Sequence, residues 1–323
     1  MRFATILLLT FFIHSNASSQ NAYERVDSVM RAYDKKVKSV EDLWSLSYYI
    51  RNTFTEDSLR LRAAFIWITE NIAYDVEAFE KEDPRAAQIE YVLKNKKGIC
   101  SGYANLLKFF CDSYKIENEI VHGRARGGKN DVYVANTRFR TNHAWNAVKV
   151  NGQWRLIDAT WAAGIVSENE EDDPAFKPRF TREFKEFYYF APPERFALNH
   201  YPSDIRWSLV SRLPVYQDFI QSPLPTLEFL EGSLHEISPK TALLEAKVGD
   251  TLTFRFRATY PVLHVGFYSK RKGATHNSCS EQKGDWFEAK YPVSASGYYD
   301  LRIAFDSDRF ISLVYKLKIE AKQ

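Results

Sequence analysis

Cys100, His143 and Asp158 are of the types that serve as thiol nucleophile, proton shuttle and orienting carboxylate. The sequence places the last two together. In Val148-Lys149-Val150-Asn151-Gly152-Gln153-Trp154, Asn-Gly stands between two alternating runs. That is a strong hairpin signal and implies a two-residue type I′ loop. The register follows: Val150 faces Gln153, Lys149 faces Trp154, Ala147 faces Leu156, Trp145 faces Asp158 and His143 faces Thr160. Alternate residues share a face, so His143, Trp145, Ala147, Leu156, Asp158 and Thr160 lie together. His143 and Asp158 become diagonal neighbours, roughly 7–8 Å apart at Cα and closer at their tips. An imidazole and a carboxylate in that relation can hydrogen-bond, leaving the second ring nitrogen pointing onward.

Cys100 opens a helix. Tyr103, Leu106, Leu107, Phe110, Cys111 and Tyr114 recur at helical spacing as one buried stripe, and Cys100 stands three residues before it. At a helix start, free N–H groups and the macrodipole favour a thiolate, and Gly98 lets the backbone bend into that start. If the stripe packs on the hairpin face, Cys100 meets His143, and the Cys100 N–H becomes a first oxyanion donor. Taken singly, a cysteine here is more often a small buried residue than a nucleophile, and a histidine near a strand end is usually a satisfied or exposed one. The joint arrangement, with Asp158 in register, favours chemistry. Trp145 on the same face and Trp161 just after Asp158 are candidate substrate-binding residues, although core packing would serve either equally well. Cys111 reads as a buried structural thiol, about 16 Å along the helix from Cys100 and beyond disulfide reach. Cys279, near Gly284, reads as a free surface thiol.

The elements that must hold these residues follow from periodicity. Helices are expected over 22–36, 41–53, from an N-cap near Thr55, over 86–93, and along the Cys100 stripe. Strands are expected over 120–126, 131–136, 143–150 and 154–159. The stretch 214–225, with three prolines, reads as a linker. From Leu227 onward short strands alternate with turns, the pattern of a β-sandwich. Gly297-Tyr298-Tyr299-Asp300-Leu301 before the last strand is similar to a late-strand pattern of immunoglobulin-like domains. The fold class read here is therefore α+β followed by an immunoglobulin-like β-sandwich. The divisions are 1–19 leader, 20–222 core with N-terminal helices, and 223–323 sandwich.

Composition bounds the function. The 323 residues carry a net charge of only +3, which argues against wrapping a nucleic-acid backbone. Hydrophobic residues at 45% and charged residues at 26% are ordinary globular values and exclude a disordered chain. Arg2 followed by the apolar run Phe3–Ile13 and Ser15-Asn16-Ala17 reads as a cleavable secretory signal, too short to span a bilayer. No cysteine follows that run to carry a lipid, so a secreted or periplasmic location without a membrane span is expected. Three cysteines make a poor disulfide framework for such a location. No His-Glu-x-x-His or Cys-x-x-Cys motif and no phosphate-cradling glycine loop occurs, so no cofactor and no metal is expected. The acidic run Glu168–Asp173 has no calcium-loop spacing and reads as a solvated loop.

Lys97-Gly98-Ile99-Cys100-Ser101-Gly102-Tyr103-Ala104 resembles the cysteine motif of the transglutaminase-like superfamily. His143-Ala144-Trp145-Asn146-Ala147-Val148 and Trp154-Arg155-Leu156-Ile157-Asp158-Ala159-Thr160-Trp161 resemble its histidine and aspartate motifs, in the same order. Ala64–Ile68 through Ile72-Ala73-Tyr74-Asp75 is similar to the helix before that core. Phe190, His200-Tyr201-Pro202 and Trp207 look like the kyphoscoliosis-peptidase branch, while Ala162-Ala163-Gly164 departs from the expected Gly-x-Gly. The resemblance covers about residues 55–215. It implies a papain-like core and thiol acyl chemistry through Cys100, His143 and Asp158. A peptidase or amidase acting on a protein or peptide through a thioester is the favoured function, with a crosslinking transglutaminase less favoured. The alternative is a non-catalytic scaffold whose sandwich binds a protein or glycan partner.

Overall fold

The computed structural model describes residues 22–128, 131–132, 135, 138–167, 175–232, 234–258, 265–269, 274–278, 281–305 and 311–321. The expected leader, the acidic run and Cys279 lie outside them. By contacts the chain forms two compact units. One runs to His122 and resumes over His143–Ala191; the other holds Gly123–Asn142 and the chain from Pro192.

The first unit packs helices on an antiparallel sheet. Its helices are α1 (22–31), α2 (Val40–Thr53), α3 (Asp57–Asn71), α4 (Val76–Glu80), α5 (Ile89–Asn95), α6 (Cys100–Tyr114) and α7 (Ala159–Ala163). α1 stops five residues short of the expected end, because Asp34, Lys35 and Lys36 offer no apolar continuation. α2 starts on a reciprocal capping box between Ser39 and Asp42. α3 begins at Asp57 after Glu56 rather than being capped by Thr55. The expected helix 86–93 divides into a tight turn, Pro84–Ala87, followed by α5.

Two-residue strands β1 (Ala73–Tyr74) and β2 (Lys97–Gly98) run parallel. The main sheet contains β3 (Asn118–Ala125), β4 (His143–Val150) and β5 (Gln153–Ile157). β6 (Gly164–Val166) pairs with β7 (Phe180–Arg182), and β8 (Tyr189–Ala191) completes the sheet in the order β8-β5-β4-β3. The buried stripe of α6 is the expected one, with Tyr103, Leu106, Leu107, Phe110 and Cys111 all at 0% exposure, so this face is core throughout. Gly102 lets the first turn of α6 press on the Pro84–Ala87 turn. A Cβ there would stand 2.6 Å from the Ala86 carbonyl oxygen, closer than real contacts allow.

Arg62 on α3 ties this unit together. Its guanidinium is buried and donates to both Asp27 oxygens at 2.7 Å and to Glu186 at 2.6 and 2.7 Å. It thereby joins α1, α3 and the turn Glu186–Tyr188. Arg62→Leu leaves the Asp27 carboxylate, with its side chain only 11% exposed, without a cation. The expected cost is about 3–5 kcal/mol, because the remaining charge is stranded away from water. Urea unfolding measures it, and a loss below about 1 kcal/mol would make the pair peripheral.

In the second unit, Gly123–Ala125 pairs with β9 (His200–Pro202). The expected strand 131–136 is not formed at Asp131 and Val132. The Asp131 carboxylate instead accepts from the amides of Gly127 and Gly128 and closes a turn; 133–134 and 136 lie outside the described residues. Helices α8 (Pro193–Phe196), α9 (Tyr216–Gln221) and α10 (Leu227–Glu231) follow. The stretch 214–225 is therefore not a bare linker: it contains α9 and β10 (Leu224–Pro225), which pairs with the last strand.

The remaining strands are β11 (Leu234–Ser238), β12 (Leu243–Lys247), β13 (Thr251–Ala258), β14 (Val265–Ser269), β15 (Ala274–Ser278), β16 (Glu281–Lys283), β17 (Trp286–Pro292), β18 (Gly297–Phe305) and β19 (Ile311–Glu320). They form one sheet ordered β10-β19-β18-β14-β15, with β12 also on β19, and a second ordered β11-β13-β17-β16. Phe254 from the second sheet meets Phe267 and Tyr315 from the first, with ring centroids at 5.4 and 5.2 Å, so one core serves both sheets.

Candidate active site

Asp158 is the pivot of the site. β5 ends at Ile157, one residue before it, and the chain turns directly into α7 with Asp158 as N-cap. Its Oδ1 accepts from the backbone N–H groups of Thr160 and Trp161 at 2.9 and 3.0 Å. That leaves Oδ2 free to accept from His143 Nε2 at 2.7 Å. The Asp158 N–H donates to the Tyr188 carbonyl at 3.0 Å, anchoring the pivot to the turn that Arg62 holds. Asp158 is completely buried.

The hairpin register is as expected from Val150↔Gln153 to Asn146↔Ile157. Beyond that the strand reading fails: Asp158 and Thr160 are not on β5, because capping α7 satisfies N–H groups that a longer strand would leave to a partner. The carboxylate nevertheless reaches His143, the first residue of β4. The helix also packs differently from the expectation. The contacts of α6 with β4 fall at Ala144, which clusters with Cys100 and Ala104, and at Asn146, whose side chain donates to the Ala104 carbonyl at 3.1 Å. These alternate with His143 and Trp145, so α6 lies on the other face. Cys100 still meets the imidazole because each is the first residue of its element.

With Nε2 on Asp158, Nδ1 is the ring nitrogen left for the hydrogen bond between His143 and Cys100. The electrostatics follow from burial working against these bonds. Burial pushes the Cys100 thiol up. The His143 hydrogen bond, the His143 charge and the Ala144 N–H outweigh it and leave the thiol below its ordinary 9.0. Burial pushes His143 down, but the Asp158 charge and hydrogen bond, with those of Cys100, raise it above 6.5. Isolated groups would both be neutral between these two values; lowering the thiol and raising the imidazole moves the pair toward thiolate and imidazolium. Cys111, on the same helix and without such partners, is pushed up by burial to about 12. One helix thus carries a thiol held low at its N-terminus and one pushed up in its core.

The two tryptophans flank the imidazole. Trp145 stacks at 6.1 Å and is only 1% exposed, so it lies on the core side. Trp161 lies at 5.5 Å, partly exposed, and packs edge-on against Tyr188 at 5.6 Å. Of the two, Trp161 is the one with surface to offer a substrate. Both limit water around His143, which strengthens its ion pairs. The sequence reading assigned no role to Asn146, which locks α6 to β4, or to Tyr74, which pairs with Gly98 two residues before Cys100. Tyr74 and Asp75, directly after the apolar stripe of α3, were the available signal.

Residues 45–159 match the transglutaminase-like superfamily. The kyphoscoliosis peptidase of Mus musculus is 31% identical over 204 residues, 62% of this chain and 30% of that protein. The human kyphoscoliosis peptidase is 29% identical over 266 residues, 81% of this chain and 38% of that protein. Hillarin of Drosophila melanogaster is 25% identical over 187 residues, 56% of this chain and 22% of that protein. The chain therefore spans well under half the length of these relatives. Among the described residues no helix is long and apolar enough to cross a membrane. Cys100, His143 and Asp158, joined by the hydrogen bonds described above, all fall inside residues 45–159, the segment of this chain that matches the transglutaminase-like superfamily.

Proposed function

We propose that this chain is a cysteine acyl-transfer enzyme that hydrolyses peptide or amide bonds in protein or peptide substrates. The observation that carries the reading is the relay from Asp158 Oδ2 through His143, at 2.7 Å, to the hydrogen-bonded thiol of Cys100. The Cys100 thiolate attacks the carbonyl carbon, and the carbonyl π pair moves to oxygen. The Cys100 N–H, at a helix start with no intrahelical acceptor, stabilises that oxyanion. Collapse expels the amine, which takes the proton from the His143 imidazolium, and leaves a thioester. His143 then takes a proton from water as the water oxygen bonds to the thioester carbonyl; collapse breaks the C–S bond, releases the acid and returns the proton to the Cys100 sulfur. Asp158 stays ionised and holds the ring.

Hydrolysis is preferred to crosslinking because the two most similar of the relatives above are named peptidases. Export is part of the proposal, supported by Arg2 and the apolar run Phe3–Ile13. So is an immunoglobulin-like assignment for the two-sheet region, as a surface for a protein or glycan partner; the shared core supports the sandwich architecture.

Peptide-library profiling of wild type against Cys100→Ala tests the reading. New N-termini from the wild type and none from the variant are expected. Amine incorporation without new termini would make the chain a transamidase, and identical, inert profiles would leave only a scaffold.

A further inference from the structure

α6 meets β4 along one row of residues from each. Cys100 and Ala104 stand four apart and share a face of α6. Ala144 and Asn146 stand two apart and share a face of β4. The rows touch at two heights: Ala144 clusters with Cys100 and Ala104, and Asn146 Nδ2 donates to the Ala104 carbonyl at 3.1 Å. At the first height the His143 ring and the Ala144 N–H both hydrogen-bond the sulfur. Alanine on each side lets helix and strand approach closely, but methyl against methyl has no preferred direction and resists a slide of α6 along β4 only weakly. The Asn146 amide supplies the direction that the alanines lack.

Asparagine is a costly residue for that place. Asn146 is only 1% exposed, and its Oδ1 is buried with no hydrogen-bond partner among the described residues. A buried acceptor left unmet lowers stability, and an apolar side chain would avoid it. The position thus keeps a polar group against the interest of the core, about one helical turn from the sulfur. Such a local conflict is expected at a functional site.

We infer that Asn146 is a positioning residue for the nucleophile: by holding Ala104 at one height on β4, it holds the Cys100 sulfur at His143 and the Ala144 N–H. This rests on the Cys100–His143 pair of the reading above. Asn146 acts through the helix, and its effect is on where the sulfur sits.

Asn146→Ala and Asn146→Leu bracket the volume of asparagine, and both remove the donor. The Ala104 carbonyl keeps its acceptor role inside the helix, and the unmet Oδ1 disappears as well. Both variants are therefore expected to stay folded, with urea midpoints near that of wild type. The titratable groups facing the sulfur are unchanged: His143 on β4, Asp158 at the start of α7 and Tyr74 on β1. Iodoacetamide alkylation of the full-length chain across pH reads the result, and an unreactive Cys111 reports an intact core. In both variants the Cys100 midpoint is expected to rise by about one pH unit, with the rate at neutral pH falling about tenfold. An unchanged Cys100 profile would overturn the role. So would a shift in only one variant, which would trace the effect to volume, or a reactive Cys111 in both, which would make Asn146 a residue of the fold alone. A wild-type midpoint at or above 9.0 would instead remove the Cys100–His143 pair itself, and this role with it.

Discussion

In His143→Ala, turnover and the alkylation of Cys100 at neutral pH are both expected to fall by about 10²–10⁴-fold. Burial acts on the Cys100 thiol in the direction it acts on Cys111, where it is unopposed and reaches about 12. Two of the three influences that reverse it at Cys100 come from the imidazole, its hydrogen bond and its charge; the third is the Ala144 N–H. Removing the ring leaves the helix terminus and that one N–H against burial. The thiol should then ionise later than an ordinary cysteine rather than earlier. Stability should fall modestly, because the substitution empties one site at the edge of the core, where His143 retains 8% exposure. Alkylation rates from intact mass, with thermal unfolding as control, check both parts. A His143→Ala protein as reactive as wild type would mean that the helix terminus alone activates the thiol.

Asp158→Asn should lower turnover by about 10⁴-fold while leaving the chain folded. The reason lies in the double use of the carboxylate. Oδ1 caps α7 through the N–H groups of Thr160 and Trp161, and asparagine caps as well as aspartate. If the amide oxygen keeps those two bonds, its NH₂ faces His143 Nε2. Two donors cannot meet, so the ring must carry its proton on Nδ1, the nitrogen that has to accept from Cys100. The base is inverted without disturbing the fold. Asp158→Ala should lose the cap as well, costing about 1 kcal/mol more. The check is kcat/KM together with urea unfolding of both variants. Were Asp158→Asn to unfold the chain while leaving Cys100 reactivity unchanged, Asp158 would be a structural carboxylate and the site at best a Cys–His pair.

The hairpin from Val150↔Gln153 to Asn146↔Ile157 was legible because Asn151-Gly152 fixes a two-residue turn and those pairs follow by counting; His143 meets Asp158 one residue beyond the paired strand, through the cap of α7. The α6 stripe was legible because six apolar residues at helical spacing admit one burial mode. The face on which α6 packs was not: β4 is buried on both sides, with Trp145 and Ala147 as dry as Ala144 and Asn146, so alternation carries no preference. The end of β5 was missed because Asp158-Ala159-Thr160-Trp161 reads equally as strand and as a capped helix start. The pairing of Tyr74 with Gly98 was not legible, because a two-residue parallel ladder is too short for any periodicity. The helices over 84–95 were blurred by Pro84, which seeds a tight turn before α5.

Under the proposed mechanism Cys100 and His143 share a thiolate–imidazolium pair near neutral pH. The most direct test is the pH dependence of iodoacetamide alkylation at Cys100, followed residue by residue by mass spectrometry, with Cys111 as internal control. Since the Cys100 thiol is lowered from 9.0 and His143 is raised from 6.5, the thiolate should form at a lower pH than an isolated cysteine's, while the imidazole is still protonated. The predicted result is a Cys100 rate that rises with a midpoint below pH 9.0 while Cys111 stays unreactive. A single rise at or above 9.0, as for an isolated thiol, would contradict it.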